Sequence, residues 1–232
     1  CHAVCKKIKE LNENILIIQG GPHQGFTQTF FIDHPYVDYM CYATGHGEEF
    51  LVEALSQISK NGKIVDYDSV PFLITKDYFT HTTRSKYEYP VESPLEHNTV
   101  YLLDVISTAK KKNRLSSLLY DTTRGCPYAC VYCEWGGGTG TKVSVRSTDT
   151  VKKDIEIASM LGFDELDFVD ANFGIFPRDL ELIDCIKENK EKYGYPQNFF
   201  YFGVPKVGVE KRERLIDKVL SSGLVDYYFM AL

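Results

Sequence analysis

From Leu115 onward, short apolar runs alternate with stretches whose apolar residues recur every three to four positions. This alternation restricts the chain to a layered α/β architecture, because each strand and each helix has only one partner type that buries its apolar side. Leu115 to Tyr120 reads as a buried strand, and Val151, Ile155 and Ala158 then share a helix face that stops at Gly162. A strand over Glu165 to Asp170, a helix from about Arg178 to Tyr193 and a strand over Phe199 to Phe202 follow. A helix carrying Leu215, Ile216, Val219 and Leu220 runs up to Gly223, and a last strand covers Asp226 to Leu232. Four strands and three helices of a βα repeat predict the N-terminal part of a (β/α) barrel over 114–232.

The same alternation governs the first 62 residues. Val4, Ile8 and Leu11 lie at helical spacing, and the apolar run Ile15 to Ile18 ends in Gly20-Gly21-Pro22-His23. A second run, Val37 to Ala43, ends in Gly45-His46-Gly47-Glu48-Glu49 before a helix with Leu51, Ala54, Leu55 and Ile58 that stops at Asn61-Gly62. Residues 1–62 are therefore expected to be the C-terminal part of a doubly wound, Rossmann-like sheet. Residues 63–113, with Pro71, Pro90, Pro94 and the cluster Lys110-Lys111-Lys112, read as a linker with some local structure. A first residue that is Cys, and a last strand that stops without a turn, point to a segment of a longer chain.

Charge excludes some partners. The formal net charge of -6 comes from acidic and basic residues mixed along the chain, so neither a nucleic-acid face nor a basic membrane helix is expected. No apolar run approaches the roughly 20 residues of a bilayer span, and no signal segment opens the chain. A cytoplasmic protein acting on a small molecule or peptide is the expectation.

Of seven cysteines, three fall within eight residues, in Thr123-Arg124-Gly125-Cys126-Pro127-Tyr128-Ala129-Cys130-Val131-Tyr132-Cys133-Glu134-Trp135-Gly136. Three thiolates at CxxxCxxC spacing on one loop suit three corners of a four-iron cluster and leave the fourth iron without a protein ligand. Structural zinc wants four ligands, usually in two separated pairs, and no second pair is present. Three inert buried cysteines are the other alternative, against which Gly125, Pro127 and the glycine-rich exit argue. The run Gly136 to Lys142 is not a phosphate loop, because Thr141 separates Gly140 from Lys142. Those glycines let the backbone fold closely around a cluster and its cofactor. At the end of the next strand, Asp170 and Asn172 either contact a cofactor or substrate, or Asp170 caps a turn.

The cysteine loop, with aromatic Tyr132 just before its last cysteine, resembles the signature of the radical S-adenosylmethionine (SAM) superfamily. The resemblance implies a 4Fe-4S cluster on Cys126, Cys130 and Cys133, whose open iron is chelated by the SAM methionine group. It further implies reductive cleavage of SAM to a 5′-deoxyadenosyl radical, with an external electron donor of the flavodoxin or ferredoxin type. Tyr132, Trp135, Gly136, Asp170 and Asn172 would then line the SAM site. The superfamily's Gly-Gly-Glu motif is missing here, and Asp170-x-Asn172-Phe173 resembles the pattern of cobalamin-linked members instead.

The order of parts, GGPH, GxGE, a linker with Ser93-Pro94 and then the cysteine loop, resembles the cobalamin-binding subclass across nearly the whole chain. The implied fold is a partial Rossmann-like cobalamin-binding domain followed by a partial radical SAM barrel. Gly20, Gly21, Pro22, Gly45, Gly47 and Glu48 would lie against the cobalamin. The Asp-x-His-x-x-Gly motif of many cobalamin domains is absent, and neither His23 nor His46 is assigned as a cobalt ligand. The implied function is cobalamin-dependent methyl transfer to an unactivated centre. Methylthiolation, rearrangement and cyclisation are the enzymatic alternatives, and a noncatalytic zinc- or cobalamin-binding module is the alternative of another class. A segment of this extent carries an incomplete cofactor pocket and is expected to be inactive in isolation.

Overall fold

A computed structural model describes residues 2–20, 30–42, 47–79, 92–128, 130, 143–201 and 208–225. The chain divides into two compact units, one of residues 1–88 with 128–141 and one of residues 89–127 with 142–232.

The first unit is a small mixed sheet with helices. After α1 (His2–Leu11), β1 (Ile18–Gly20) leads through α2 (Phe30–Asp33) to β2 (Tyr39–Cys41), which pairs parallel to β1 with Gly20 opposite Cys41. The following helix α3 (Glu48–Asn61) ends at Gly62, whose φ of 73° is the left-handed conformation that glycine adopts without a Cβ clash. Strand β3 (Leu73–Ile74) then pairs antiparallel to β2, giving the order β1-β2-β3. Phe50 and Ala54 from α3 pack with Tyr39, Cys41, Ile64, Val70, Phe72 and Leu73.

The second unit holds the parallel sheet. A single 3-10 turn at Glu96–Asn98 and helix α4 (Thr99–Lys111) precede β4 (Ser117–Tyr120), the short pair β5 (Thr123–Arg124) and β6 (Ser144–Val145), and helix α5 (Thr148–Leu161). Strand β7 (Glu165–Phe168), helix α6 (Arg178–Tyr193), strand β8 (Asn198–Tyr201) and helix α7 (Val209–Ser221) complete it. Strands β4, β7 and β8 are parallel and adjacent in that order, with α5 and α6 as the crossovers. Helix α5 starts where the Ser147 side chain accepts the Thr150 N–H and stops at Gly162, φ 83°.

One face of this sheet supplies the core. Tyr120, Leu166, Phe168 and Phe199 pack against Val151, Ile155, Leu182, Ile183, Ile186, Leu215 and Val219 from the three helices. Phe168 meets Phe173 and Phe199 edge to face, with ring centroids 5.2 and 5.0 Å apart. Asp154 on α5, 1% exposed, accepts hydrogen bonds from the Ser93 and Tyr120 hydroxyls and so ties three separate segments together. Burial and this carboxylate push the Tyr120 phenol well above its usual range.

The α/β class and the helix stops follow the periodic pattern, while three features depart from it. The first strands are short: Ile15 to Ile17 lie before β1, and β2 covers only the middle of the Val37–Ala43 run. The stretch 63–113, read as a linker, contributes packed residues to both units: Ile64, Val70, Phe72 and Leu73 enter the core of the first, and Leu102 and Ile106 of α4 form a separate cluster with Ala158 and Phe163 in the second. Proline and tyrosine in its first half hid the helical spacing of its second. The last strand, over Asp226 to Leu232, lies outside the described residues. Among the described residues no helix is long and apolar enough to cross a membrane.

Replacing Phe168 by Ala removes a fully buried ring at the centre of the second unit and costs about 3–5 kcal/mol in a urea titration. Met160→Ala, at a position 62% exposed on α5, stays within about 0.5 kcal/mol of the parent. Equal losses for both would contradict this core.

Candidate cluster and corrin sites

The cysteine loop follows a short two-stranded pairing just beyond β4. Thr123 pairs with Val145 and Arg124 with Ser144, so β5 and β6 clamp the two ends of the intervening loop, residues 125–143. Gly125 opens that loop at φ 99°, a conformation that penalises any Cβ. Cys126 is buried and Cys130 half-buried, and neither is in a disulfide. Cys133 and the expected cofactor contacts Tyr132, Trp135 and Gly136 lie outside the described residues. Among the described residues no three His, Cys, Asp or Glu side chains gather as a metal site.

The clamp is flanked by buried and half-buried charges. Asp121 pairs with Arg124 and, at 3.6 Å, with Arg146, whose guanidinium also lies 5.3 Å from the Tyr120 ring centroid. Arg178, at the start of α6, donates to the backbone carbonyls of Arg146 and of Thr122. None of these residues is marked by the sequence pattern, since a buried arginine in a loop looks like any surface arginine. Asp179 is more legible: an acid in the first turn of α6, it accepts from the backbone N–H of Gly174 at 2.7 Å and of Phe176 at 3.1 Å.

The turn after β7 reaches across to the cysteine loop. Asp170, 1% exposed, accepts from the backbone N–H of Thr122 at 2.6 Å and of Thr123 at 2.8 Å through one oxygen, and from the Thr122 hydroxyl through the other. Asn172, 8% exposed, donates its side-chain N–H to the Cys126 Sγ at 3.1 Å. The structure thus brings Asp170, Asn172 and Cys126 together. Asp170 spends its carboxylate on the backbone leading into the cysteine loop.

In the first unit, Gly20 and Gly47 come together around Cys41 at the carboxyl ends of β1 and β2. A Cβ on Gly20 would lie 3.4 Å from the Cys41 Cβ, and one on Gly47 would lie 3.9 Å from the Cys41 Sγ. Glu48 opens α3 directly after Gly47. Gly21, Pro22 and Gly45, the other expected cobalamin contacts, lie outside the described residues.

Burial pushes the Asp170 carboxyl up to about 6, against the pull of its hydrogen bonds from Thr122 and Thr123. A carboxyl raised in the folded state binds its proton more tightly there than in the unfolded chain. Its contribution is fully present below the unfolded value near 3.8 and is lost as pH rises through about 6, a loss of about 3 kcal/mol. Asp170→Asn keeps an acceptor for both N–H groups and removes the titration. Urea midpoints of the variant are therefore expected to fall less than the parent's between pH 4 and 7, and parallel profiles would refute the assignment.

No protein-family model matches the chain. It is 30% identical over 204 residues to the 2-(S-pantetheinyl)-carbapenam-3-carboxylate methyltransferase of Streptantibioticus cattleyicolor, covering 84% of this chain. It is 29% identical over 198 residues, again 84% of the chain, to the cobalamin-dependent radical SAM methyltransferase TokK of Streptomyces tokunonensis. The chain spans 28% of the length of each of these relatives. Among solved structures it resembles the radical SAM methyltransferase TsrM from Kitasatospora setae, with tryptophan substrate and a SAM analogue bound. The TM-score is 0.62 at 18% identity, covering 94% of this chain and 42% of that one. It also resembles the cobalamin-dependent SAM radical enzyme OxsB with aqua-cobalamin and SAM bound, at TM-score 0.63 and 17% identity, covering 95% of this chain and 32% of that one. At these identities the structural likeness establishes a shared fold. Along most of its residues this chain is thus similar to curated methyltransferases, one of them named as a cobalamin-dependent radical SAM methyltransferase, and it spans 28% of their length.

Proposed function

We propose that the protein carrying this chain is a cobalamin-dependent radical SAM methyltransferase that methylates an unactivated centre of a small molecule. The observation that carries the reading is the thiol loop itself, which leaves β5 at Gly125, returns at β6, and has Cys126 under the Asn172 amide. Both thiols in the described part of the loop are out of disulfides, and their CxxxC spacing continues to Cys133. A donor set of soft thiolates on one loop, with an amide N–H directed at sulfur, fits an iron-sulfur cluster. When bound, the cluster supplies the electron that cleaves SAM, and cobalamin supplies the methyl group.

The chain's own residues divide the remaining work. Cys126, Cys130 and Cys133 hold the cluster, and Tyr132, Trp135 and Gly136 adjoin the SAM site. Asp170 acts from behind the loop, fixing Thr122 and Thr123 so that Cys126 is presented at the carboxyl ends of the parallel strands, where βα folds place their chemistry. Gly20, Gly21, Pro22, Gly45, Gly47 and Glu48 form the corrin side. Neither a positive φ nor a clash among the described residues requires glycine at position 20. Its missing side chain is then at the disposal of a ligand that approaches the strand end closely. Electrons come from an external flavodoxin- or ferredoxin-type donor. The names of the aligned relatives, two methyltransferases of which one is cobalamin-dependent, support methyl transfer over methylthiolation or rearrangement.

Anaerobic reconstitution with iron and sulfide should load about four irons per protein and give broad absorption near 400 nm. The Cys126→Ala, Cys130→Ala, Cys133→Ala variant should load none. Turnover with a reductant and methylcobalamin should release both 5′-deoxyadenosine and S-adenosylhomocysteine. Deoxyadenosine alone would move the assignment to another radical SAM reaction, and zinc in place of iron would remove it altogether. Gly20→Leu should weaken hydroxocobalamin binding, read from its visible spectrum, without changing the iron content.

A further inference from the structure

Asn172 is nearly buried, stands two residues beyond the Asp170 anchor, and directs its side-chain N–H at the Sγ of Cys126 from 3.1 Å. The amide could have been satisfied by a carbonyl oxygen, a stronger acceptor than a neutral thiol. A sulfur becomes a strong acceptor when it carries charge, as a thiolate ligand does, and hydrogen bonds to ionised partners are about twice as strong as neutral ones. The position is also fixed from both sides. Asp170 ties its own turn to Thr122 and Thr123, and Asp179 ties Gly174 and Phe176 to α6, so the turn carrying Asn172 has little freedom to drift from the sulfur.

We propose that Asn172 is a positioning residue for electron entry: its amide N–H, held against the Cys126 sulfur, raises the reduction potential of the cluster. The inference rests on the cluster reading above and adds to it a residue that acts on the cluster through a ligand, in place of the contact to SAM or substrate expected from sequence. One-electron reduction places additional negative charge on the cluster and its sulfurs. An N–H dipole aimed at one of those sulfurs stabilises the reduced form more than the oxidised form, and hydrogen bonds to sulfur are among the recognised determinants of such potentials. An external donor would then transfer its electron at a less negative potential than the same cluster would need without the amide.

Two variants separate the donor from the space it fills. Asn172→Ala removes the N–H and leaves a gap, and Asn172→Leu removes the N–H while keeping the volume. Both are expected to load about four irons and to shift the reduction equilibrium about tenfold against the reduced cluster, or about 59 mV more negative for one electron. The shift is read by anaerobic redox titration of the reconstituted protein, monitored by the electron paramagnetic resonance of the reduced state. Potentials unchanged in Asn172→Leu would overturn the inference and leave the cluster reading intact. A parent protein that loads no iron would overturn the cluster reading instead. Variants that lose iron while keeping their helix content would show that Asn172 merely secures Cys126 for ligation, which also defeats the proposal.

Discussion

The carboxylate of Asp170 is the interaction on which the site depends. It is buried, and it gathers two backbone N–H groups and a hydroxyl from Thr122 and Thr123, the residues that lead from β4 into the cysteine loop. The carboxylate satisfies groups that would otherwise be unpaired away from water, at the cost of its own desolvation. Because Asp170 follows β7, the placement of Thr122 and Thr123 ahead of the thiol loop is tied to the parallel sheet.

Around this anchor the second unit is built in two grades of interaction. Below lies an aromatic and aliphatic core, with Phe168 meeting Phe173 and Phe199 and helices α5, α6 and α7 closing over it. Above it lies a polar belt of Asp121, Arg146, Arg178 and Asp179, each engaged with backbone or with an opposite charge. The core supplies stability without direction, since apolar burial is insensitive to angle. The belt supplies direction, since hydrogen bonds weaken steeply when misaligned. Cys126 is held by the second grade, through Gly125 and Asn172.

Much of the fold was legible from residue order. Helices α3, α5 and α7 announced themselves by apolar spacing and by stops at Gly62, Gly162 and Gly223, all of which have positive φ. The pairing of β5 with β6 was not legible: each strand has two residues, and they meet across a gap of about twenty positions. Helix α4 was absorbed into an apparent linker because the prolines before it outweighed Leu102 and Ile106. The cysteine spacing singled out Cys126, Cys130 and Cys133 as candidates, and the glycines at 20 and 47 stood out at strand ends. Their convergence around Cys41 depends on the parallel register of β1 and β2, which no local pattern encodes.

The sequence by itself determined the α/β class, the positions of the main helices and the one loop whose residue types suit an iron-sulfur cluster. Those properties reside in short windows, where spacing and side-chain chemistry are sufficient. Only the tertiary structure decided that Asp170 faces Thr122 rather than solvent, and that Asn172 faces a cysteine sulfur 46 positions before it. The physical reason is that a polar side chain takes its role from whatever partner the sheet brings within hydrogen-bond distance. That partner is chosen by the packing of distant strands, whose register is a property of the folded chain as a whole.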